Sequence, residues 1–170
     1  MPTCTGIVVR SAAGDNAPEV AEFAIRSIKE VYGREISPEW DRDLLNFQKV
    51  YLETPGNTFL TAYAGDDKIV GALAVRRYDG RIRILDGFYD LKATAELSRC
   101  FVDKQYRRNS IGSLLVKEAE RFCKSSGYRL VYLHTHKYLP GALNFWQSQG
   151  YMVRVDEGGP QQTVHLEKAL

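Results

Sequence analysis

The hydrophobic pattern of the chain changes its period in the middle, and this change limits the folds that the chain can adopt. Residues 95–102 are predicted to form a strand. From Ile111 the apolar side chains recur at the spacing of one helical face, until Gly127 ends the repeat. Residues 130–133 then form an apolar run of strand length. A strand, a helix and a strand in this order predict a sheet with helices packed on it.

The segments on either side extend the same pattern. We therefore predict the α/β (α+β) class, with a mixed central sheet of about six to seven strands and helices on both faces. No repeat or linker divides residues 1–170, which are predicted to form a single domain. Cap residues are expected to bound the helices: Asp15 or Asn16 and Gly33 around the first helix, and Ser37-Pro38 before a short second helix. Turn residues are expected to bound the strands: Gly65-Asp66-Asp67 in a hairpin, Asp79-Gly80 before a further short strand at 82–84, and Gly150 before two last strands.

Composition excludes several classes of function. The net charge of +2 is too small for a nucleic-acid or membrane-surface protein, since those need a concentrated basic patch. The three cysteines are widely spaced and odd in number, which is typical of reduced thiols and not of a disulfide framework. The first ten residues lack the pattern of a signal peptide, and no apolar run is long enough to span a membrane. We therefore predict a cytoplasmic protein.

The segment between the central strand and its helix is rich in basic and small residues. Residues 107–112 read Arg-Arg-Asn-Ser-Ile-Gly and lead directly into the helix. Backbone N–H groups at the positive end of a helix bind anions, and small side chains let a bulky ligand approach the backbone. The segment therefore predicts a pyrophosphate site, although a purely structural helix start would also use such residues.

Two motifs in register resemble the GNAT acyltransferase superfamily. Arg107-x-x-Ser110-x-Gly112 is similar to its acyl-CoA signature, (Arg/Gln)-x-x-Gly-x-(Gly/Ala), and residues 142–151 are similar to its late helix and turn. The resemblance covers nearly the whole chain and implies a GNAT-like fold and an acetyl-CoA-dependent N-acyltransferase without a metal. The residues that it implies for cofactor binding are Cys100, Phe101, Val102, Arg107, Arg108, Asn109, Ser110, Ile111, Gly112, Ser113, Asn144 and Trp146.

Two positions depart from the family pattern. Ser110 stands where the family usually has glycine, so its side chain either crowds the phosphates of the cofactor or donates a hydrogen bond to them. Trp146 stands where many members have a tyrosine that protonates the leaving thiolate. An indole N–H does not give up its proton at neutral pH, so no general acid is assigned.

The resemblance also implies a mechanism. The pantetheine arm would lie along the strand that ends at Val102, splaying it from the strand near Leu133, and backbone N–H groups near Phe101 and Val102 would polarise the thioester carbonyl. The amine would attack directly, and Glu96 stands where several members have a carboxylate that takes its proton. The alternative for Glu96 is a strand-edge residue in a surface salt bridge.

The resemblance also indicates where the acceptor would bind. Residues 76–92 and the first two helices form the acceptor pocket in the family, which makes Tyr32, Trp40, Arg81 and Arg83 the candidate substrate residues. We expect a small amine, such as an amino acid, polyamine or aminoglycoside-like compound. A protein lysine or N-terminal amine and a catalytically silent acyl-CoA-binding module are the alternatives, and a homodimer is compatible with the family.

Two other patterns carry rival predictions. His134 and His136 lie two apart on a predicted strand, as two metal ligands could, but no further ligand has suitable spacing. Cys100 has the chemistry of an acyl-carrying nucleophile, but a buried, unreactive strand cysteine fits its position better.

Overall fold

A seven-stranded mixed sheet carries the fold. The computed structural model describes residues 6–170. The elements are β1 (Val8–Ser11), α1 (Ala17–Tyr32), α2 (Arg42–Leu45), β2 (Thr58–Ala64), β3 (Lys68–Arg77), β4 (Thr94–Val102), α3 (Ile111–Ser125), β5 (Leu130–His136), α4 (Ala142–Ser148), β6 (Met152–Gly158) and β7 (Thr163–Ala169). In the described residues the strand order is β1-β2-β3-β4-β5-β7-β6, with β4 and β5 parallel. The predicted fold class is confirmed.

Helix α1 shows how the local sequence sets an element. It begins after Asn16, carries a proline in its first turn and ends at Gly33, which adopts φ 65° and donates its N–H to the Lys29 carbonyl. The Asn16 side chain does not cap the helix and instead accepts a hydrogen bond from the Ala13 N–H at 2.8 Å. The apolar face of α1 is buried, as the periodicity predicts.

The chain folds into two compact units, each with its own core. Of the described residues, unit 1 contains 6–75 together with Arg99–Ala119, and unit 2 contains Arg76–Ser98 and Glu120–Leu170. Helix α1 packs in unit 1 against aromatic side chains that include Phe59 and Phe101. In unit 2 the buried core around Tyr78, Leu85 and Tyr132 includes side chains from the segment between β3 and β4. The prediction of a single domain stays a prediction.

Two short elements differ from the sequence prediction. Residues 82–84 do not form a strand: Arg83–Leu85 are a 3₁₀ turn, in which the Leu85 N–H bonds the Ile82 carbonyl at 3.0 Å. Leu85 is buried and Ile84 is exposed. The alternation of Ile82 and Ile84 with arginines therefore belongs to a turn that is anchored in the core by Leu85, and not to a strand with one apolar face. Helix α2 begins at Arg42, later than Ser37-Pro38, and a single turn of π-helix over Gln48–Leu52 was not predicted.

No helix in residues 6–170 is both long and apolar enough to cross a membrane.

Candidate functional site

The loop between β4 and α3 is held in shape by its own hydrogen bonds. The Asp103 carboxylate accepts from the Gln105 N–H at 2.9 Å, and the Arg107 Nε donates to the Val102 carbonyl at 3.2 Å. The Asn109 amide donates to the Tyr106 carbonyl at 3.1 Å. These contacts fix the turn that leads into α3, with the charged ends of its arginines at the surface. The predicted anion-binding segment is therefore a preformed loop at a helix start.

Two residues of this loop adopt a backbone conformation that favours glycine. Arg108 has φ 64° and Ser110 has φ 60°. The left-handed region is costly for residues with a Cβ atom and nearly free for glycine. The glycine that the signature prefers at position 110 thus corresponds to a real backbone requirement, which Ser110 meets at a cost in strain.

Replacing Ser110 with glycine should raise the free energy of unfolding by up to about 1 kcal/mol. Glycine removes a left-handed penalty of about 1–2 kcal/mol, which is partly offset by its larger loss of backbone entropy, about 0.5–1 kcal/mol. Urea unfolding measures the change. The matched variant Ser113→Gly, which lies inside α3, should lower stability. A destabilised Ser110→Gly protein would show that the serine side chain makes a stabilising contact.

A cleft of about 250 Å³ adjoins this loop in unit 1. Its walls include Phe101, Val102 and Arg107, three of the residues predicted to bind the cofactor. Arg26 of α1 and Lys104 also line it and were not predicted, because both read as ordinary surface residues of their elements. The carboxylates of Glu30 and Asp103 line the cleft as well, so its wall combines three cations, two anions and the apolar side chains of Phe23, Val31 and Phe101.

Strand β4 contains a distorted residue and a buried ion cluster that the sequence analysis missed. Arg99 has φ 55°, in the left-handed region, although it lies within the strand. Its guanidinium donates to Asp43 at 2.6 and 3.1 Å and to Asp41 at 3.0 Å. Both carboxylates are buried. A signal was available, since an arginine inside a predicted buried strand requires a charged partner.

The opposite charges in this cluster shift the pKa values of Asp41 and Arg99 toward the ionised forms. Burial alone would raise the pKa of Asp41, but hydrogen bonds from Arg34 and the Ser37 N–H, with the charge of Arg99, lower it below its usual value. Burial would likewise lower the pKa of Arg99, and the hydrogen bonds and charge of Asp43 raise it. Asp41 and Arg99 are therefore both ionised at neutral pH.

Glu96 lies in unit 2 as a buried and fully engaged carboxylate. Its side chain is 1% exposed and accepts two hydrogen bonds of 2.7 Å from Arg81 and one of 3.3 Å from Arg76. Arg81 is 41% exposed and also pairs with Asp79. Burial lowers the pKa of Arg81, but the hydrogen bonds and charges of Glu96 and Asp79 together raise it above its usual value. The sequence predicted Glu96 and Arg81 separately, and the structure joins them as an ion pair.

A tyrosine and two histidines lie near this ion pair. Tyr132 is the parallel-ladder partner of Glu96, and its hydroxyl lies 2.8 Å from His165 Nδ1 and 3.3 Å from His134 Nδ1. Burial, and secondarily the charge of Glu96, raise the pKa of Tyr132, while burial lowers the pKa of His165. Within residues 6–170, no group of three or more histidine, cysteine or carboxylate side chains is arranged to hold a metal ion.

The ladder between β4 and β5 is short. In the described chain it runs from Thr94↔Leu130 to Glu96↔Tyr132, while β4 continues to Val102 and β5 to His136.

The remaining predicted residues divide between the two units. Tyr32 and Trp40 belong to unit 1, where Trp40 is 63% exposed with the Arg34 guanidinium 5.2 Å from its ring centre. Arg83 and Asn144 are exposed residues of unit 2. Trp146 is buried there against Phe145 and Tyr151, with ring centres 5.0 and 5.4 Å away. Cys100 is partly buried, and burial raises the pKa of its thiol to about 12, which keeps it protonated at pH 7.

Sequence comparison identifies relatives over most of the chain. A profile described as the acetyltransferase (GNAT) family matches residues 23–151. N-acetyltransferase 8 of Homo sapiens is 29% identical over 109 residues, which make up 64% of this chain and 44% of the human protein. The chain therefore spans less than half the length of that relative.

Solved structures share the fold over almost its whole length. An acetyltransferase of the GNAT family from Staphylococcus aureus Mu50 has a TM-score of 0.76 and 22% identity, covering 96% of this chain and 99% of that chain. PaiA N-acetyltransferase from Thermoplasma acidophilum, solved in complex with coenzyme A, has a TM-score of 0.70 and 21% identity, covering 98% of this chain and all of that chain (100%).

Proposed function

The chain belongs to the acetyltransferase (GNAT) family, and we propose that it transfers the acetyl group of acetyl-CoA to a primary amine of a small molecule. The observation that carries this proposal is the loop from Arg107 to Gly112. It combines the family signature with left-handed residues at 108 and 110 and a helix start directly after them. The cleft beside Phe101, Val102 and Arg107 supports the same assignment.

The donor residues supply binding and polarisation in this proposal. Backbone N–H groups at the start of α3 would hold the pyrophosphate, and Arg107 and Arg108 would add charge. The N–H groups near Phe101 and Val102 would stabilise the oxyanion that forms on the thioester carbonyl. The amine nitrogen forms the new N–C bond, the C–S bond breaks, and the thiolate leaves unaided because its conjugate acid has a pKa of about 8.5. The second N–H proton of the attacking nitrogen passes to solvent as the neutral amide forms.

The proton of the ammonium must leave before attack, and Glu96 is our candidate base. The two arginines that hold Glu96 fix its position, and a substrate amine would have to compete with them for its oxygens. Trp146 is buried and assigned no acid role. Tyr32, Trp40, Arg81 and Arg83 remain the proposed acceptor residues.

A small acceptor is favoured by the packing of residues 76–92. Tyr78 and Leu85 from this segment are buried with Tyr132, so the segment is anchored to the core of unit 2, which favours a covered pocket over an open groove. A protein lysine or N-terminal amine is the second candidate.

We further propose a cytoplasmic location, because the described cysteines Cys100 and Cys123 are free thiols. A homodimer and the absence of nucleic-acid or membrane partners stay predictions.

Millimolar acetyl-CoA should raise the melting temperature of the protein. A ligand present at a hundred times its Kd stabilises the folded state by about 2.7 kcal/mol, which corresponds to a shift of several degrees. Differential scanning fluorimetry with acetyl-CoA measures the shift, and free adenosine, which lacks the pyrophosphate and the pantetheine arm, serves as the control. A panel of amines assayed for acetyl-CoA-dependent thiol release then tests transfer.

The two assays separate the candidate functions. No thermal shift with acetyl-CoA or CoA would overturn the proposed donor. A shift without thiol release from any small amine or lysine peptide would favour a silent acyl-CoA-binding module. Release with lysine or N-terminal peptides alone would favour the protein acetyltransferase.

A further inference from the structure

The backbone of β4 is strained at Arg99, and the strain has a specific support. A left-handed arginine inside a strand persists only where its surroundings hold it there, and such residues are concentrated at functional sites. The support is the Arg99 guanidinium, whose hydrogen bonds end on Asp41, Asp43 and the Trp40 carbonyl, the last at 3.1 Å.

These partners belong to one segment of unit 1. Asp41 also accepts from Arg34 at 2.7 and 3.2 Å and from the Ser37 N–H at 2.8 Å. Asp43 also accepts from the Tyr51 hydroxyl at 2.6 Å. The alternating charges Arg34, Asp41, Arg99 and Asp43 thus fasten the segment 34–43 to the middle of β4.

Stability alone is a weak reason for this arrangement. Buried ion pairs rarely stabilise a fold more than apolar side chains of the same size would, because both charges lose their hydration. The cluster instead fixes two things at once: the peptide that precedes Cys100, Phe101 and Val102, and the backbone of the exposed Trp40.

We propose that Arg99 is a positioning residue that sets the acceptor segment 34–43 relative to the thioester-binding end of β4. This inference rests on the proposed function, in which Phe101 and Val102 face the thioester and Trp40 contacts the acceptor. The guanidinium suits the task because its N–H donors form a rigid fork, and here that fork reaches two carboxylates and a carbonyl. Loss of Arg99 would then impair use of the amine while leaving the loop at 107–113 able to bind CoA.

The test compares two variants, a double substitution and a single one, that both leave the net charge of the cluster unchanged. Arg99→Gln with Asp43→Asn removes one charge of each sign and keeps hydrogen bonding, and Arg99→Lys keeps the charge but loses the fork. We expect kcat/KM for the preferred amine to fall about tenfold in each, with acetyl-CoA Kd by calorimetry within twofold of wild type. The ratio of kcat/KM between a small and a large amine should also change. Arg10→Gln, which breaks the exposed pair with Asp67, is the matched control and should change none of these values.

Every outcome bears on the proposal. Unchanged amine kinetics and selectivity, or an equal loss of acetyl-CoA affinity, would overturn a positioning role. Failure of both variants to fold, seen by circular dichroism, would assign the cluster to the fold alone and also overturn it. If the wild-type protein binds acetyl-CoA but transfers to no amine, the proposed transfer fails, which is recognised before any variant is made.

Discussion

Glu96→Gln should lower kcat/KM by about a hundredfold or more at pH 7, the usual effect of removing a general base. Glutamine keeps the size of the side chain and one acceptor oxygen for Arg81, but it cannot take a proton from the substrate ammonium. Acetyl-CoA affinity should stay nearly constant, because Glu96 lies outside the loop and cleft proposed to bind the cofactor. Steady-state kinetics with the preferred amine, and calorimetry with acetyl-CoA, measure the two quantities.

The pH profile distinguishes a base from a purely structural anchor. As pH rises, more of the amine is already deprotonated in solution, so a defect caused by loss of the base should shrink. A defect of equal size from pH 6 to pH 9 would mean that Glu96 acts by holding Arg81 and Arg76 in place.

The Glu96 experiment has a matched control in the same unit. Glu120 accepts hydrogen bonds from Tyr151 at 3.1 Å and from Lys168 at 2.8 Å, and its side chain is 17% exposed. Glu120→Gln therefore repeats the chemical change in another largely buried, paired carboxylate, and it should leave kcat/KM near the wild-type value. Near-normal activity of Glu96→Gln at pH 7 would remove Glu96 from the mechanism.

The parts of the fold that sequence could predict are those set by local spacing. The apolar face of α1, its end at Gly33 and the start of α3 at Ile111 depend on residues a few positions apart, so periodicity and cap chemistry suffice. The 3₁₀ turn at Arg83–Leu85 was mistaken for a strand because three residues of alternating polarity fit both structures.

The partners inside the candidate site could not be predicted in the same way. Arg99 and Asp43 are 56 positions apart, and Tyr132 and His165 are 33 apart, so no local pattern joins them. Chemistry alone required that a charge in β4 be paired, but only the folded chain decides which carboxylates pair with it. The family signature predicted the loop and the helix start after it, because both are built from consecutive residues, while phosphate binding there stays a prediction.

Gly112→Leu should abolish the thermal shift produced by acetyl-CoA. Gly112 is the second residue of α3, where the signature requires a small residue so that the phosphates can reach the backbone N–H groups. A leucine side chain would occupy that approach, and the stabilisation of about 2.7 kcal/mol expected at a hundred times Kd would be lost. Fluorimetry and calorimetry of the variant with acetyl-CoA measure the loss.

The stability of the unliganded Gly112→Leu protein distinguishes loss of cofactor binding from misfolding. Leucine favours a helix over glycine by about 0.5–1 kcal/mol, so the unliganded Gly112→Leu protein should be as stable as wild type or more so, while its response to ligand disappears. Gly14→Leu makes the same substitution where nothing lies within 4 Å of the new Cβ atom, and it should keep the full shift. A Gly112→Leu protein that keeps its fold and its full shift would show that the phosphates bind away from the start of α3.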